Sequence, residues 1–411
     1  MLKLREKALQ MHKEKQGKLE VIAKVALHNA DDLSLAYSPG VAEPCKEIYF
    51  NEDTVYDYTG KGNLVGIVSD GTAVLGLGNI GPKAAIPVME GKAILFKNFA
   101  GVDAFPICLQ QQDTDKLIEV ISALEPTFGG INLEDIAAPQ CFMIEQALQD
   151  KMQIPVFHDD QHGTAIVTVA GLLNALKLVN KRIEDIKVVA NGAGAAGSAI
   201  VSLLVHTGVG EIIMCDTKGA IYEGRLNGMN DFKERLAAIT NRRRIQGSLS
   251  DCLQDADVFI GVSAAGVITK EMIQTMARDP IIFAMANPVP EIMPDIAKEA
   301  GARVIGTGRS DYPNQVNNVL AFPGVFRGAL DVRAKCINME MKIAAVEAIA
   351  NLIEDNELHD DYVIPGPFDP RVAPAVAKAV AIAAMISGVA RIQVDPAEVA
   401  DRTKRLSTIG K

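Results

Sequence analysis

The chain has 411 residues, too many for one compact core, so two domains are the natural expectation. An apolar fraction of 48%, 22% charged residues and no Trp are the composition of a soluble globular enzyme. A formal charge of −10 argues against nucleic acid or an anionic membrane as partner, and an anionic small substrate then needs locally placed Lys or Arg.

Six cysteines, Cys45, Cys108, Cys141, Cys215, Cys252 and Cys336, form no CxxC pair. They read as reduced thiols of a cytoplasmic protein, neither a disulfide framework nor a zinc site. Residues 1–20 are charged and helix-forming rather than an apolar leader core. The longest apolar run, 373–390, is Ala-rich and broken by Lys378 and Gly388, so it reads as a packed helix and not a membrane span.

In chain order, 64–69 and 93–96 read as short apolar strands, and 115–124 and 138–148 as amphipathic helices. A long apolar helix follows over 163–179. Then a regular alternation sets in: strand 187–190, helix 198–206, strand 211–216, helix 232–240, strand 256–262, helix 270–276, and strands 280–286 and 303–305. Such alternation predicts a parallel, doubly wound sheet. Beyond about residue 330 the chain is helical and Ala-rich, and 181–185 is the clearest boundary-like polar segment.

Two stretches match GxGxxG, Gly76 to Gly81 and Gly192-Ala193-Gly194-Ala195-Ala196-Gly197, with Asp103 and Asp216 following each. Context separates them. The second directly follows an apolar strand and opens a helix, and Asp216 closes the next strand, where a ribose hydroxyl would sit. The first is followed by Pro82 and Pro87, expected to break a helix after about one turn, so it reads as a turn near the cleft. Asp216 points to NAD, but Arg225 and the run Arg242-Arg243-Arg244 offset it, leaving NAD and NADP both open.

Two acidic stretches precede the second glycine motif: Asn132-Leu133-Glu134-Asp135 and Phe157 to Thr164, which contains His158, Asp159, Asp160 and His162. Carboxylates gathered from separate segments suit a hard divalent cation. The competing reading of Glu134 and Asp135 is a helix start. His158 and His162 suit zinc better than such a cation, and Asp159 reads as supporting or structural.

Together these segments resemble the malic enzymes in their short bacterial form. The resemblance adds residues 35–42 (Leu-Ala-Tyr-Ser-Pro-Gly-Val-Ala), Ser69-Asp70-Gly71, residues 86–92 (Ile-Pro-Val-Met-Glu-Gly-Lys), Ala286-Asn287-Pro288 and residues 317–324 (Asn-Asn-Val-Leu-Ala-Phe-Pro-Gly). It implies Mg²⁺ or Mn²⁺ held by Glu134, Asp135 and Asp160, Lys92 as general base and Tyr37 as general acid. Asn287 would lie by the nicotinamide and contact substrate, with Asn317 and Asn318 as further substrate contacts. A metal-bound hydroxyl nearby would lower the pKa of Lys92. Lys97, near the end of the expected 93–96 strand, is its rival.

The implied organisation is α/β: an N-terminal malate and metal domain (1–162), a Rossmann NAD(P) domain (163–335), and a helical C-terminal segment (336–411) packing on one or both. The implied reaction is oxidative decarboxylation of L-malate to pyruvate and CO₂, with oxaloacetate decarboxylation alongside. Homodimers or homotetramers are the implied assembly, with residues 1–20 as an arm between subunits. The alternatives are a malolactic outcome, which would yield lactate, and a nucleotide sensor with a dead site. One departure stands out: Ala73 replaces an arginine that binds substrate in long eukaryotic members, leaving Lys97 or Arg309 for the distal carboxylate.

Overall fold

Two sheets carry the chain in a computed structural model that describes residues 2–74, 76–110 and 113–410. The first has four parallel strands, β1 (Leu64–Ser69), β2 (Asp103–Cys108), β3 (Gly130–Leu133) and β4 (Val156–His158), ordered β2-β1-β3-β4. Strands β1, β3 and β4 are buried along nearly their whole length, as expected where helices cover both faces.

The second sheet has β5 (Lys187–Asn191), β6 (Glu211–Asp216), β7 (Gly219–Ala220), β8 (Val258–Gly261), β9 (Ile281–Ala284) and β10 (Val304–Thr307), ordered β10-β9-β8-β5-β6-β7. All pairs are parallel except β7, which folds back on β6. Strand order reverses at β5, which lies between β6 and β8. The crevice above the carboxyl ends there is where doubly wound sheets take ligands. Every strand and helix expected between 187 and 305 is present. The long helix begins earlier than expected, as Asp159–Leu178, so Asp159 and Asp160 occupy its first turn, where the helix dipole favours acids.

One stretch departs from expectation. Residues 93–96 are not a strand but part of the helix Pro82–Ala100, and neither proline ends it. Pro82 sits in the first turn, where its fixed φ fits and its missing N–H is not needed. Pro87 forfeits one backbone bond and strains the turn, at about 3 kcal/mol. Burial of Ala85, Met89, Ala93, Phe96 and Phe99 outweighs that, at roughly 1.5–3 kcal/mol for each large apolar side chain. Four residues are too short a window to reveal the 85-89-93-96 helical spacing.

The C-terminal third joins the two sheets. In the helix Phe322–Asp331 every residue is buried. Phe96 meets Phe322 and Phe326 edge-on at 4.7 and 5.3 Å, and Phe157 meets Phe326 at 5.7 Å. Asn174 Nδ2 donates to the Ala350 and Val363 carbonyls at 3.0 and 3.1 Å. The Ala-rich run is the packed helix Val372–Ile386, and no described helix is long and apolar enough to cross a membrane. All six cysteines are free thiols. The first sixty residues behave differently: helices Ala30–Ala36 and Ala42–Phe50 bury no residue.

Candidate functional site

The carboxyl ends of both sheets face one cleft. A cavity of about 710 Å³ is walled by Asp135 and Asp160 on one side and Ala195, Ala196 and Asn287 on the other, with Asn317 and Asn318 closing it. A second, of about 760 Å³, meets it at Ser263 and is lined by Gly192, Ala193, Asp216, Lys218 and Lys233.

Adjacent strands β3 and β4 bring the two acidic stretches together. Glu134 and Asp135 follow β3, and Asp160 opens the helix that follows β4. One oxygen from each of Glu134, Asp135 and Asp160 lies within 4.8 Å of the others, the sole such cluster among the described residues. Asp135 holds a left-handed backbone (φ 54°), a conformation that costs on the order of 1–3 kcal/mol in a non-glycine residue. Its N–H donates to Asp160 Oδ2 at 2.9 Å, and Asn132 Nδ2 donates to Glu134 Oε2 at 2.8 Å. Carboxylates converging this way, Glu134 and Asp135 buried and Asp160 half-buried, fit a hard, oxygen-seeking divalent cation.

Lys92 lies against these acids, buried, with Nζ 2.5 Å from Asp159 Oδ2 and 2.9 Å from Glu134 Oε1. The amine also sits 4.3 Å from the centre of the Phe322 ring. Burial alone would lower its pKa, but Asp159, Glu134 and Asp160 outweigh burial and hold it above the ordinary lysine value. Burial pushes Asp159 up to about 7 despite Lys92, and pushes Glu134 and Asp160 upward as well. Asp159 also accepts from Asn318 Nδ2.

The neighbouring histidines form a second network that reaches the acid cluster where His158 Nδ1 lies 3.9 Å from Asp160 Oδ2. His162 Nε2 lies 2.9 and 3.0 Å from the Glu145 carboxylate, and Lys342 Nζ approaches the same ring at 3.1 Å. His158 is fully buried, and burial pushes its pKa down to about 4.

The Gly192 turn fits a pyrophosphate. Gly192 has φ 117°, and a Cβ on it would fall 2.6 Å from the Val262 carbonyl oxygen. A Cβ on Gly197 would fall 1.8 Å from the Gly192 carbonyl oxygen. Gly194 leaves open space before the helix Ala195–His206, whose first amides can face an anion. Asp216 closes β6 on the second cavity. The Gly76 stretch is a turn with φ of 74°, 72° and 77° at Gly76, Gly78 and Gly81. It leads into the helix Pro82–Ala100, and Gly76 and Gly78 line the first cavity.

Other candidates lie apart. Tyr37 caps the helix Ala30–Ala36, is 68% exposed and is not among the residues lining the first cavity. Lys97 lies in a helical last turn, not at a strand end, roughly 140° around the helix from Lys92. It is exposed and pairs with Asp103 at 2.7 Å. Arg309 follows the cavity residue Gly308 but is paired with Asp311 at 2.6 Å. Ala73 lines the cavity, and Arg243 and Arg244 are exposed. Thr164 and Ser263, also on the walls, carry no sequence signal beyond their motif neighbours.

Comparison with known proteins agrees with this geometry. Residues 161–388 match the family profile "Malic enzyme, NAD binding domain", and 16–115 and 110–149 match "Malic enzyme, N-terminal domain". The chain is 71% identical over 410 residues to the bifunctional malic/malolactic enzyme of Bacillus subtilis (strain 168), covering 100% of both. It is 56% identical to the NAD-dependent malic enzyme of Geobacillus stearothermophilus, over 91% of this chain and 78% of that one. The crystal structure of malic enzyme from Pyrococcus horikoshii Ot3 superposes with a TM-score of 0.94 at 51% identity, covering 98% of this chain and 95% of that one. Two sheets meeting at one acid-lined cleft, and matching profiles on either side of it, have one reading: the chain belongs to the malic enzyme family.

Proposed function

We propose that this protein oxidises and decarboxylates L-malate to pyruvate and CO₂, reducing NAD or NADP with a divalent cation bound. The observation that carries the reading is Lys92, buried between Glu134 and Asp159 beside a three-carboxylate cluster that shares a cavity with the Ala195–His206 helix start.

Glu134, Asp135 and Asp160 hold Mg²⁺ or Mn²⁺. When bound, that cation polarises the C2 oxygen, opposes a positive charge on Lys92, and makes the C2 ketone an electron sink. Lys92 takes the C2 hydroxyl proton, and a dinucleotide held at the Gly192–Gly197 turn would accept the C2 hydride. The C3–C4 bond then breaks, CO₂ leaves, and Tyr37 protonates C3 of the enolpyruvate. Asn287, Asn317 and Asn318 orient the substrate, and the Gly192–Gly197 turn and Asp216 seat the dinucleotide. Residues 1–162, 163–335 and 336–411 are the corresponding units of this scheme, working in the cytoplasm.

Tyr37, exposed and not on the wall of the first cavity, would serve as the acid from a second chain. Val21, Leu35, Tyr49 and Phe50, within the same first fifty residues as Tyr37, are 89%, 78%, 84% and 81% exposed, apolar side chains that a homodimer would cover. In that dimer the partner's Tyr37 enters the cleft, and pairing of dimers gives a tetramer.

An anaerobic assay with malate, Mn²⁺ and either nucleotide tests the reaction: pyruvate and reduced nucleotide should appear together. Neither product under any combination rejects it. A malolactic outcome is the second reading, favoured by the name of the 71% identical Bacillus relative. It would give lactate with no rise in nicotinamide absorbance. Oxaloacetate decarboxylation should accompany either.

A further inference from the structure

The second cavity is more cationic than its acidic residue suggests. A carboxylate at the end of β6 ordinarily accepts from the ribose hydroxyls of NAD and repels a 2′-phosphate. Here that carboxylate is already engaged. Arg225 donates from Nη1 to Asp216 Oδ1 at 2.9 Å and from Nη2 to Oδ2 at 2.5 Å. Lys233 Nζ donates to Oδ2 at 2.6 Å, and the Lys218 backbone N–H to Oδ1 at 2.8 Å. Burial would raise the Asp216 pKa, but Arg225 and Lys233 override it and hold the group well below the usual carboxylate range.

Two side-chain cations thus face one carboxylate, and the exposed Lys218 side chain lies on the same cavity wall. Arg225 is a fixed clamp: its side chain is only 5% exposed, and further contacts run to the Gly219, Ala220 and Gly228 carbonyls at 3.3, 3.3 and 3.4 Å. Lys233 is more accessible, with its side chain 19% exposed on the cavity wall, and besides Asp216 its Nζ donates, among the described residues, only to the Gly228 carbonyl, at 2.8 Å. It can turn from Asp216 toward a phosphate without leaving that acid unpaired, because Arg225 retains it. Ser248, on the same wall, is committed to Asp251 at 2.7 Å.

Resting on the reading of this cleft as a dinucleotide site, we propose that the pocket selects the 2′-phosphorylated dinucleotide, NADP. Lys233 and Lys218 meet the 2′-phosphate, and Arg225 acts as the positioning residue that occupies Asp216. A phosphate here gains charge-assisted bonds and finds no uncompensated acid, whereas the ribose hydroxyls of NAD lose their usual acceptor.

The test is fluorescence titration of the full chain with NADPH and NADH, without malate, at low and high salt. NADPH should bind about tenfold or more tighter at low salt and lose affinity more steeply as salt rises. Lys233→Gln and Lys218→Gln should each weaken NADPH by roughly threefold or more and leave NADH within twofold. Arg225→Gln should tighten NADH relative to NADPH, because Asp216 is released. Circular dichroism of each variant separates misfolding from a lost contact. Equal binding of the two nucleotides by the native chain overturns the proposal, as does equal weakening of both by folded Lys233→Gln. Turnover with malate separates this from the reaction itself. Selective NADPH binding with no turnover of either nucleotide would reject the malate reading and keep the pocket assignment. Pyruvate formation with no NADPH preference would do the reverse.

Discussion

The Asp159 carboxylate bridges Lys92 and Asn318: Lys92 Nζ lies 2.5 Å from Asp159 Oδ2, and Asn318 Nδ2 donates to the same oxygen. One acid therefore sets both the proposed base and a proposed substrate contact. Its charge favours protonated Lys92 and so works against the bound cation, which disfavours it, and activity of the Mn²⁺-loaded enzyme should rise with pH as the amine loses its proton. In Asp159→Asn that negative charge is gone, the Lys92 pKa falls, and the acid limb of kcat/KM moves to lower pH. The same change should cut kcat by about a hundredfold, the scale of a mispositioned acid–base group. Mn²⁺ affinity should stay within about threefold, because Glu134, Asp135 and Asp160 remain. A collapse of Mn²⁺ binding would instead make Asp159 a ligand.

Metal affinity should depend on pH below neutrality. Burial pushes the Glu134 and Asp160 pKa values up, and for Glu134 the neighbouring Asp160 pushes further. A cation must then displace protons that ordinary carboxylates would already have lost. Calorimetric titration should show Mn²⁺ binding weakening from pH 7.5 to 5.5, by up to about tenfold per pH unit for each proton displaced. Glu134→Gln should weaken binding by more than about tenfold and flatten the dependence. Unchanged affinity across that range would show that these carboxylates carry no extra protons.

What the sequence reveals here depends on how local the determinant is. The Gly192 turn, Asp216 and the acidic stretches are legible because each is a short contiguous motif with its own steric or charge requirement. The pairing of Asp135 with Asp160 is harder to see, because it exists only through adjacent strands β3 and β4, each no more than four residues long. Strand β2 escapes periodicity for another reason: it is only half-buried and contains Pro106. Lys92 is found by resemblance but assigned no helix, since Pro82 and Pro87 mask the apolar spacing. The bond from Asn318 to Asp159 crosses 159 residues and that from Lys342 to His162 crosses 180, distances at which no pattern in the chain reports contact.

The proposed sharing of Tyr37 between subunits makes a sharp prediction. Tyr37→Phe and Lys92→Ala should each be nearly inactive alone. If the partner supplies the tyrosine, half of the randomly mixed dimers are heterodimers, and each has one site with both native residues. Mixing after reversible dissociation should then restore about a quarter of native activity. If both residues act within one chain, mixing restores nothing. Apolar surface buried on assembly should also appear as a loss of dimer in Tyr49→Asp, read by sedimentation.

Acid should destabilise the fold through the buried histidine network. His158 is fully buried with its pKa depressed to about 4, first by burial, against an unfolded value near 6.5. Above pH 6.5 the ring is neutral in both states and contributes no penalty. Between 6.5 and 4 the unfolded chain binds a proton that the folded chain refuses, so stability falls as pH falls, by roughly 3 kcal/mol across the window. Glu145 adds the same sign lower down. Burial alone would raise its pKa, but the neighbouring His162, with Lys342 and His158, depresses it to about 2, so its stabilisation is lost as pH drops below the ordinary carboxylate range. Thermal melts at fixed ionic strength should show Tm declining steadily from pH 7 to 4.5. His158→Phe, which puts a larger, non-titrating ring in the same buried site, should lower Tm at pH 7 by overpacking yet make it less dependent on pH between 6.5 and 4.5. An unchanged slope in that variant would move the acid sensitivity to Glu145 and the carboxylate cluster.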